Sequence, residues 1–103
     1  QTLRFHGFTF AFTTRQLTGP DGQPIRLTRA EYEVLAELLR HPGAVLSRER
    51  LMTVITHRQE HPDTRTVDVI IRRLRTKLEE DPGAPRLITT AHGEGYVFTA
   101  TLD

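Results

Sequence analysis

The chain has 103 residues, 37% of them hydrophobic and 26% charged, with no cysteine and a net charge of +1. That is one soluble globular domain with one core. It excludes a disulfide scaffold, an iron–sulfur site, a Cys-ligated zinc finger and a thiol nucleophile. No apolar run approaches the ~20 residues needed to span a bilayer, and there is no basic-then-apolar leader, so neither membrane insertion nor secretion is expected. Gln1 rather than Met in first position predicts a piece of something longer.

The first part reads as strands. Leu3 and Phe5 precede Gly7. Phe8, Phe10 and Phe12 then alternate with Thr9 and Ala11, giving a period of two with one aromatic face. Leu17 precedes the turn cluster Gly19-Pro20-Asp21-Gly22, and Ile25 and Leu27 alternate with Arg26. About four short antiparallel strands ending near Leu27 are predicted. The aromatic row could serve as a stacking platform for single-stranded nucleic acid. Its one-sided alternation is more simply the core side of a sheet.

At Thr28 the period changes. Thr28-x-x-Glu31 is a capping box, with Leu27 and Tyr32 as a hydrophobic staple, and Leu35, Leu38 and Leu39 follow at helical spacing. Pro42-Gly43 stops this first helix and Val45-Leu46 is a short apolar link. Ser47 caps a second helix whose predicted stripe is Leu51, Val54 and Ile55.

A polar stretch, His57 to Asp63, is broken by Pro62, and a third helix is predicted over about 63–80. Val67, Ile71, Leu74 and Leu78 recur at i, i+4, i+7 and i+11, which sets its buried face. Glu79-Glu80-Asp81 sits unfavourably at its C-terminal end, so fraying is expected there. Arg86–Ala91 and Tyr96–Thr101 form a hairpin around His92-Gly93-Glu94-Gly95. Two short helices, a longer basic helix and a following hairpin make a winged helix-turn-helix of the α+β class: an N-terminal four-stranded antiparallel sheet, three helices and a C-terminal β-hairpin wing, one domain over residues 1–103.

Charge is concentrated on the third helix. Arg65, Arg72, Arg73, Arg75 and Lys77 against Asp68 sum locally to +4, leaving −3 for the rest. At 100° per residue, Arg65, Val69, Arg72 and Thr76 point away from the buried stripe, with Arg73 and Arg75 on the flanks. Such a helix fits the major groove of B-DNA, and Val69 suits a thymine methyl. Asp68, three residues after Arg65 and four before Arg72, is placed to hold one or both of their guanidinium groups.

The run Leu27-Thr28-x-x-Glu31-Tyr32-x-x-Leu35, the run His41-Pro42-Gly43-x-Val45-Leu46-Ser47-Arg48-Glu49-x-Leu51, the third-helix run from Arg65-Thr66-Val67-Asp68-Val69 through Ile71-Arg72-Arg73-Leu74-Arg75 to Lys77-Leu78, and Gly93-x-Gly95-Tyr96-x-Phe98 resemble the winged-helix effector domain of OmpR/PhoB-type response regulators over essentially the whole chain. The resemblance implies sequence-specific binding of double-stranded DNA, no catalysis and no cofactor or metal. Arg65, Arg72, Arg73 and Arg75, with Val69 and Thr76, would meet phosphates and base edges. Arg48 would meet a phosphate at the start of the second helix. Thr90 would meet a phosphate, and His92 and Tyr96 the adjacent minor groove and backbone.

By the same resemblance, a receiver domain expected upstream accepts a phosphoryl group from a sensor histidine kinase. The domain, monomeric alone, pairs head to tail on direct repeats, and residues 57–64 face RNA polymerase, all in a bacterial cytoplasm. Three positions depart from the family's pattern. Thr56-His57 stands where Trp-Gly is frequent, Ile70 where a polar residue is common, and His92 and Glu94 where the wing tip carries Arg and a small polar residue. A weaker wing is expected, with His92 gaining strength in acid.

Three other readings compete. His57-x-x-Glu60-His61 matches a zinc-hydrolase pattern, but Pro62 follows at once and no third ligand is evident. Ser47 is explained as a cap, with no nucleophile elbow around it. The stronger rival is a winged helix that binds protein rather than DNA. Four arginines within eleven residues, Arg65 to Arg75, argue against that.

Overall fold

The computed structural model describes residues 1–56 and 63–103. Strands β1 (Thr2–Phe5), β2 (Phe8–Ala11), β3 (Gln16–Thr18) and β4 (Pro24–Ile25) form one antiparallel sheet in that order. The β1–β2 turn uses His6 and Gly7, both at positive φ, the geometry that matches strand twist in a two-residue hairpin. Register pairs Phe5 with Phe8 and Phe10 with Leu17, so one face of the sheet is apolar. Phe8 and Phe10 are buried, and Phe12 packs edge-on against Phe10 with ring centroids 4.9 Å apart. The aromatic row is therefore core, not an open stacking platform.

Helix α1 (Arg29–Arg40) starts at the expected capping box: the Glu31 N–H donates to Thr28 Oγ1 (3.2 Å) and the Thr28 N–H to Glu31 Oε1 (3.0 Å). Six of its apolar side chains are buried, Tyr32, Val34, Leu35, Ala36, Leu38 and Leu39, so α1 is central to the core. Burying each of the larger ones stabilises by about 1.5–3 kcal/mol. Helix α2 (Arg48–Thr56) is capped by Ser47, whose Oγ accepts the Arg50 N–H (3.1 Å). Its buried residues are Leu51 and Met52, while Val54 and Ile55 are only half-buried. The stripe of this nine-residue helix is rotated toward Met52, a residue the periodicity left out.

Helix α3 (Arg65–Leu78) buries Val67, Ile71, Leu74 and Leu78 as expected, and Ile70 as well. Ile70 is 4% exposed, so its side chain belongs to the core and not to the outer face. The helix is two residues shorter at each end than the expected 63–80. Asp63 lies before it and accepts the Arg65 N–H (3.0 Å). The helix stops at Leu78, and the acid that follows it is not left without a partner. Glu79 is extended (φ −85°, ψ 142°), and its carboxylate accepts the N–H groups of Arg86, Leu87 and Ile88 at 2.8–3.1 Å. An acid that opposes the helix dipole is held because it caps the next strand's free amides.

Strands β5 (Ile88–Ala91) and β6 (Gly95–Phe98) form the C-terminal hairpin, two residues shorter at its base than expected on the β5 side and three shorter on the β6 side. Phe98 meets Phe5 edge-on at 5.1 Å, joining the hairpin to the sheet. Leu46 forms an isolated bridge with Tyr96, each N–H donating to the other's carbonyl (2.8 and 3.0 Å). Gly95 makes that bridge possible. Its φ is +146°, and a Cβ there would lie 2.0 Å from the Leu46 carbonyl oxygen. The hairpin is thus fastened to the entry of α2. Among the described residues, no helix is long and apolar enough to cross a membrane.

Candidate nucleic-acid interface

One face of α3 is sunk in the core and the other is open. Arg65, Thr66, Val69, Arg72, Arg73 and Thr76 are exposed, Val69 to 42%. Their spacing puts them in one row along the helix. Arg65 pairs with Asp63 (Nε–Oδ1 3.1 Å), but both ends are open to solvent, and such a pair contributes little. It leaves Arg65 available to a stronger anion. The Thr76 hydroxyl donates back to the Arg72 carbonyl (3.1 Å), and its methyl stays on the surface. Among the described residues, no partner engages the Arg72 guanidinium.

The other predicted residues gather elsewhere, in the seam between α3, the start of α2 and the hairpin. Arg75 is half-buried there. Its Nε donates to the Ile88 carbonyl (3.0 Å) and its Nη2 to Thr90 Oγ1 (2.9 Å). Arg75 thus sits on a flank, as its spacing predicts, with its guanidinium engaged within the molecule and the Thr90 hydroxyl occupied too. Tyr96 is 5% exposed, with its hydroxyl donating to Asp68 Oδ1. Arg48 Nε donates to the same oxygen (2.8 Å). Asp68 therefore holds Arg48 and Tyr96, not Arg65 and Arg72 as its spacing suggested. Its neighbours along α3 point into solvent, whereas Arg48 and Tyr96 are fixed by packing against it. The Tyr96 ring also has two guanidinium groups near it, Arg48 at 5.7 Å and Arg75 at 5.6 Å from its centroid.

The electrostatics follow. Burial alone would raise the Asp68 pKa, but the hydrogen bonds from Arg48 and Tyr96 outweigh it and hold the carboxyl below its usual range. Burial, and then the bond to Asp68, push the Tyr96 hydroxyl up, so it stays a donor. Lys77, counted in the basic segment, is spent structurally: its Nζ donates to the Arg26 carbonyl (2.8 Å) and to Glu31, which is 2% exposed. Glu31 is held low in pKa despite burial, chiefly by that hydrogen bond. At the hairpin tip His92, Gly93 and Glu94 are exposed. His57, Glu60 and His61, and with them most of the 57–64 segment, lie outside the described residues.

Sequence reasoning missed the seam. The Arg48–Asp68 and Arg75–Thr90 pairs join elements 20 and 15 residues apart, and no local pattern reports them. Gly95 gave a weak signal, since a hairpin with two glycines has more than its turn requires.

Comparison with known proteins fits this architecture. Residues 22–98 match the family model described as "Transcriptional regulatory protein, C terminal". The chain is 50% identical over 100 residues to the TorCAD operon transcriptional regulatory protein TorR of Escherichia coli K12, covering 96% of this chain and 41% of TorR. It thus spans about two-fifths of the length of such relatives. Among solved structures, the Klebsiella pneumoniae RstA DNA-binding domain in complex with the RstA box superposes with a TM-score of 0.84 at 31% identity, covering 96% of this chain and 97% of that one. Thermotoga maritima DrrB, an OmpR/PhoB homologue, superposes with a TM-score of 0.83 at 34% identity, covering 95% of this chain and 44% of that one. The chain belongs to the transcriptional regulatory protein C-terminal family, the winged-helix domains of OmpR/PhoB-type response regulators.

Proposed function

We propose that this domain binds double-stranded DNA sequence-specifically, as the effector domain of a bacterial two-component transcriptional regulator, with α3 in the major groove and the hairpin at the adjacent minor groove. One observation carries the reading: Arg65, Val69, Arg72, Arg73 and Thr76 stand open in one row on a helix whose opposite face is buried. Arginine forks suit guanine edges and phosphates, and Val69 suits a thymine methyl. Arg48 reaches a phosphate with its Nη groups while Asp68 holds Nε. Thr90 and His92 form the wing's approach to the backbone, with Tyr96 and Arg75 behind them. The DNA-binding domain of RstA, 31% identical to this chain, is solved in complex with the RstA box, which supports DNA as the partner.

The rest of the regulator extends the reading. A receiver domain upstream takes a phosphoryl group from a sensor histidine kinase, and two copies then bind direct repeats head to tail in the cytoplasm. Alone the domain is a monomer. The 57–64 segment meets RNA polymerase.

Selection from a random duplex library tests the proposal. A reproducibly enriched sequence is expected, and a folded domain that enriches none overturns it. On the enriched duplex, Arg72→Ala costs about 1–3 kcal/mol of affinity. Affinity equal to the parent's removes Arg72 from the interface.

A further inference from the structure

Four side chains from three elements converge on Tyr96: Asp68 and Arg75 from α3, Arg48 from α2, and Thr90 through Arg75 from β5. The cluster sits between the two parts of the molecule that the proposed function sends into different grooves. Asp68 is its hub, since one carboxylate oxygen accepts from both Arg48 and Tyr96. Its position is electrostatically odd for a polyanion binder. It lies on the same helix as the open arginine row, three residues from Arg65 and one from Val69, where a negative charge repels phosphate.

We infer that Asp68 is a positioning residue that gives up Coulombic affinity to fix the wing and the Arg48 guanidinium in register with the outer face of α3. The inference rests on the DNA-binding reading for its purpose, though not for its mechanism. Tyr96 then acts inside the fold: its hydroxyl is turned to Asp68 rather than to the surface, and its ring is covered by guanidinium groups. Arg48 has Nε engaged by Asp68, which fixes the direction of its guanidinium. The Leu46–Tyr96 bridge carries the same constraint to the entry of α2.

A purely repulsive charge and a positioning charge predict opposite results for Asp68→Asn. The probes are the duplex enriched by the parent chain and a duplex of the same length with scrambled sequence. Removing a charge that only repels tightens both. Removing a positioning charge weakens the enriched duplex on the order of fivefold and leaves the scrambled one unchanged or tighter, so the ratio of the two affinities falls. Tyr96→Phe, which alters no charge at neutral pH, weakens the enriched duplex similarly and leaves the scrambled one unchanged. The double variant loses little beyond either single one.

Amide hydrogen exchange reads the mechanism without DNA. In both single variants the Leu46 and Tyr96 amides exchange on the order of tenfold faster, while the α1 core amide of Leu35 keeps its rate. Exchange at Leu46 and Tyr96 equal to the parent's overturns the inference, as does a proportional rise at Leu35, which reports global loosening. Tighter binding of both duplexes by Asp68→Asn also overturns it. If the parent chain enriches no duplex, the proposed function falls, and the exchange rates still decide whether Asp68 fixes the wing.

Discussion

Arg72 and Arg75 lie one turn apart on α3 and meet different fates. Arg72 stands open to solvent, whereas Arg75 is half-buried and holds the Ile88 carbonyl and the Thr90 hydroxyl. The residue type is the same, and so is the helix. What differs is the neighbour, since position 75 faces the first strand of the hairpin. Lys77 repeats the lesson one step on, spent on buried Glu31. A basic helix therefore has to be divided into charges that face a partner and charges that fasten the scaffold. In the proposed reading, only the first kind belongs to the footprint.

The comparison can be broken at several points. The largest expected effect is on the fastening side. Gly95→Ala forces a Cβ into the Leu46 carbonyl at a positive φ, and about 3 kcal/mol or more of stability is lost in urea melts. A loss below about 0.5 kcal/mol would show that the hairpin docks by another route.

Next comes Lys77→Met, which leaves Glu31 buried without its cation. About 2–4 kcal/mol is lost at neutral pH. The folded pKa of Glu31 is depressed, so this stabilisation is fully present above the ordinary carboxylate range and disappears as pH falls through the folded value. Melts of parent and variant should converge in acid; a gap that stays constant with pH contradicts the pairing.

Arg75→Ala and Arg72→Ala make the sharpest pair. Arg75→Ala costs about 1–2 kcal/mol of stability by removing charged hydrogen bonds. Arg72→Ala stays within about 0.5 kcal/mol. Equal effects in thermal melts would erase the division between the two. The smallest effect is at the wing tip, where Glu94→Gln removes an exposed negative charge. Duplex affinity should rise by about 0.5 kcal/mol at low salt, with the gain fading as salt is added. No gain at low salt would place Glu94 away from the phosphates.

Local patterns made the elements legible. The capping box at Thr28, the Ser47 cap, the alternating phenylalanines and the stripe of Val67, Ile71, Leu74 and Leu78 each report one element's own periodicity or terminus, and each stands as read. The outer row of Arg65, Val69, Arg72 and Thr76 was legible for the same reason, being the complement of that stripe. What stayed hidden depends on what packs against what. Ile70 lay just off the stripe and Met52 outside the one read for α2. Glu79 looked like a bad helix end until the amides of Arg86 to Ile88 came to it. Asp68 had plausible partners on its own helix, and only the fold brings Arg48 and Tyr96 closer.

The central claim is that the open arginines of α3, and not the fastened ones, face a polyanion. Duplex affinity measured against salt tests this most directly. The parent should show a log–log slope of about −0.9 for each phosphate neutralised, and replacing Arg72 and Arg73 together by alanine should make it shallower by about one to two units, while Arg75→Ala leaves it unchanged. A flat salt dependence, or a slope that responds to Arg75 and not to Arg72 and Arg73, would contradict it.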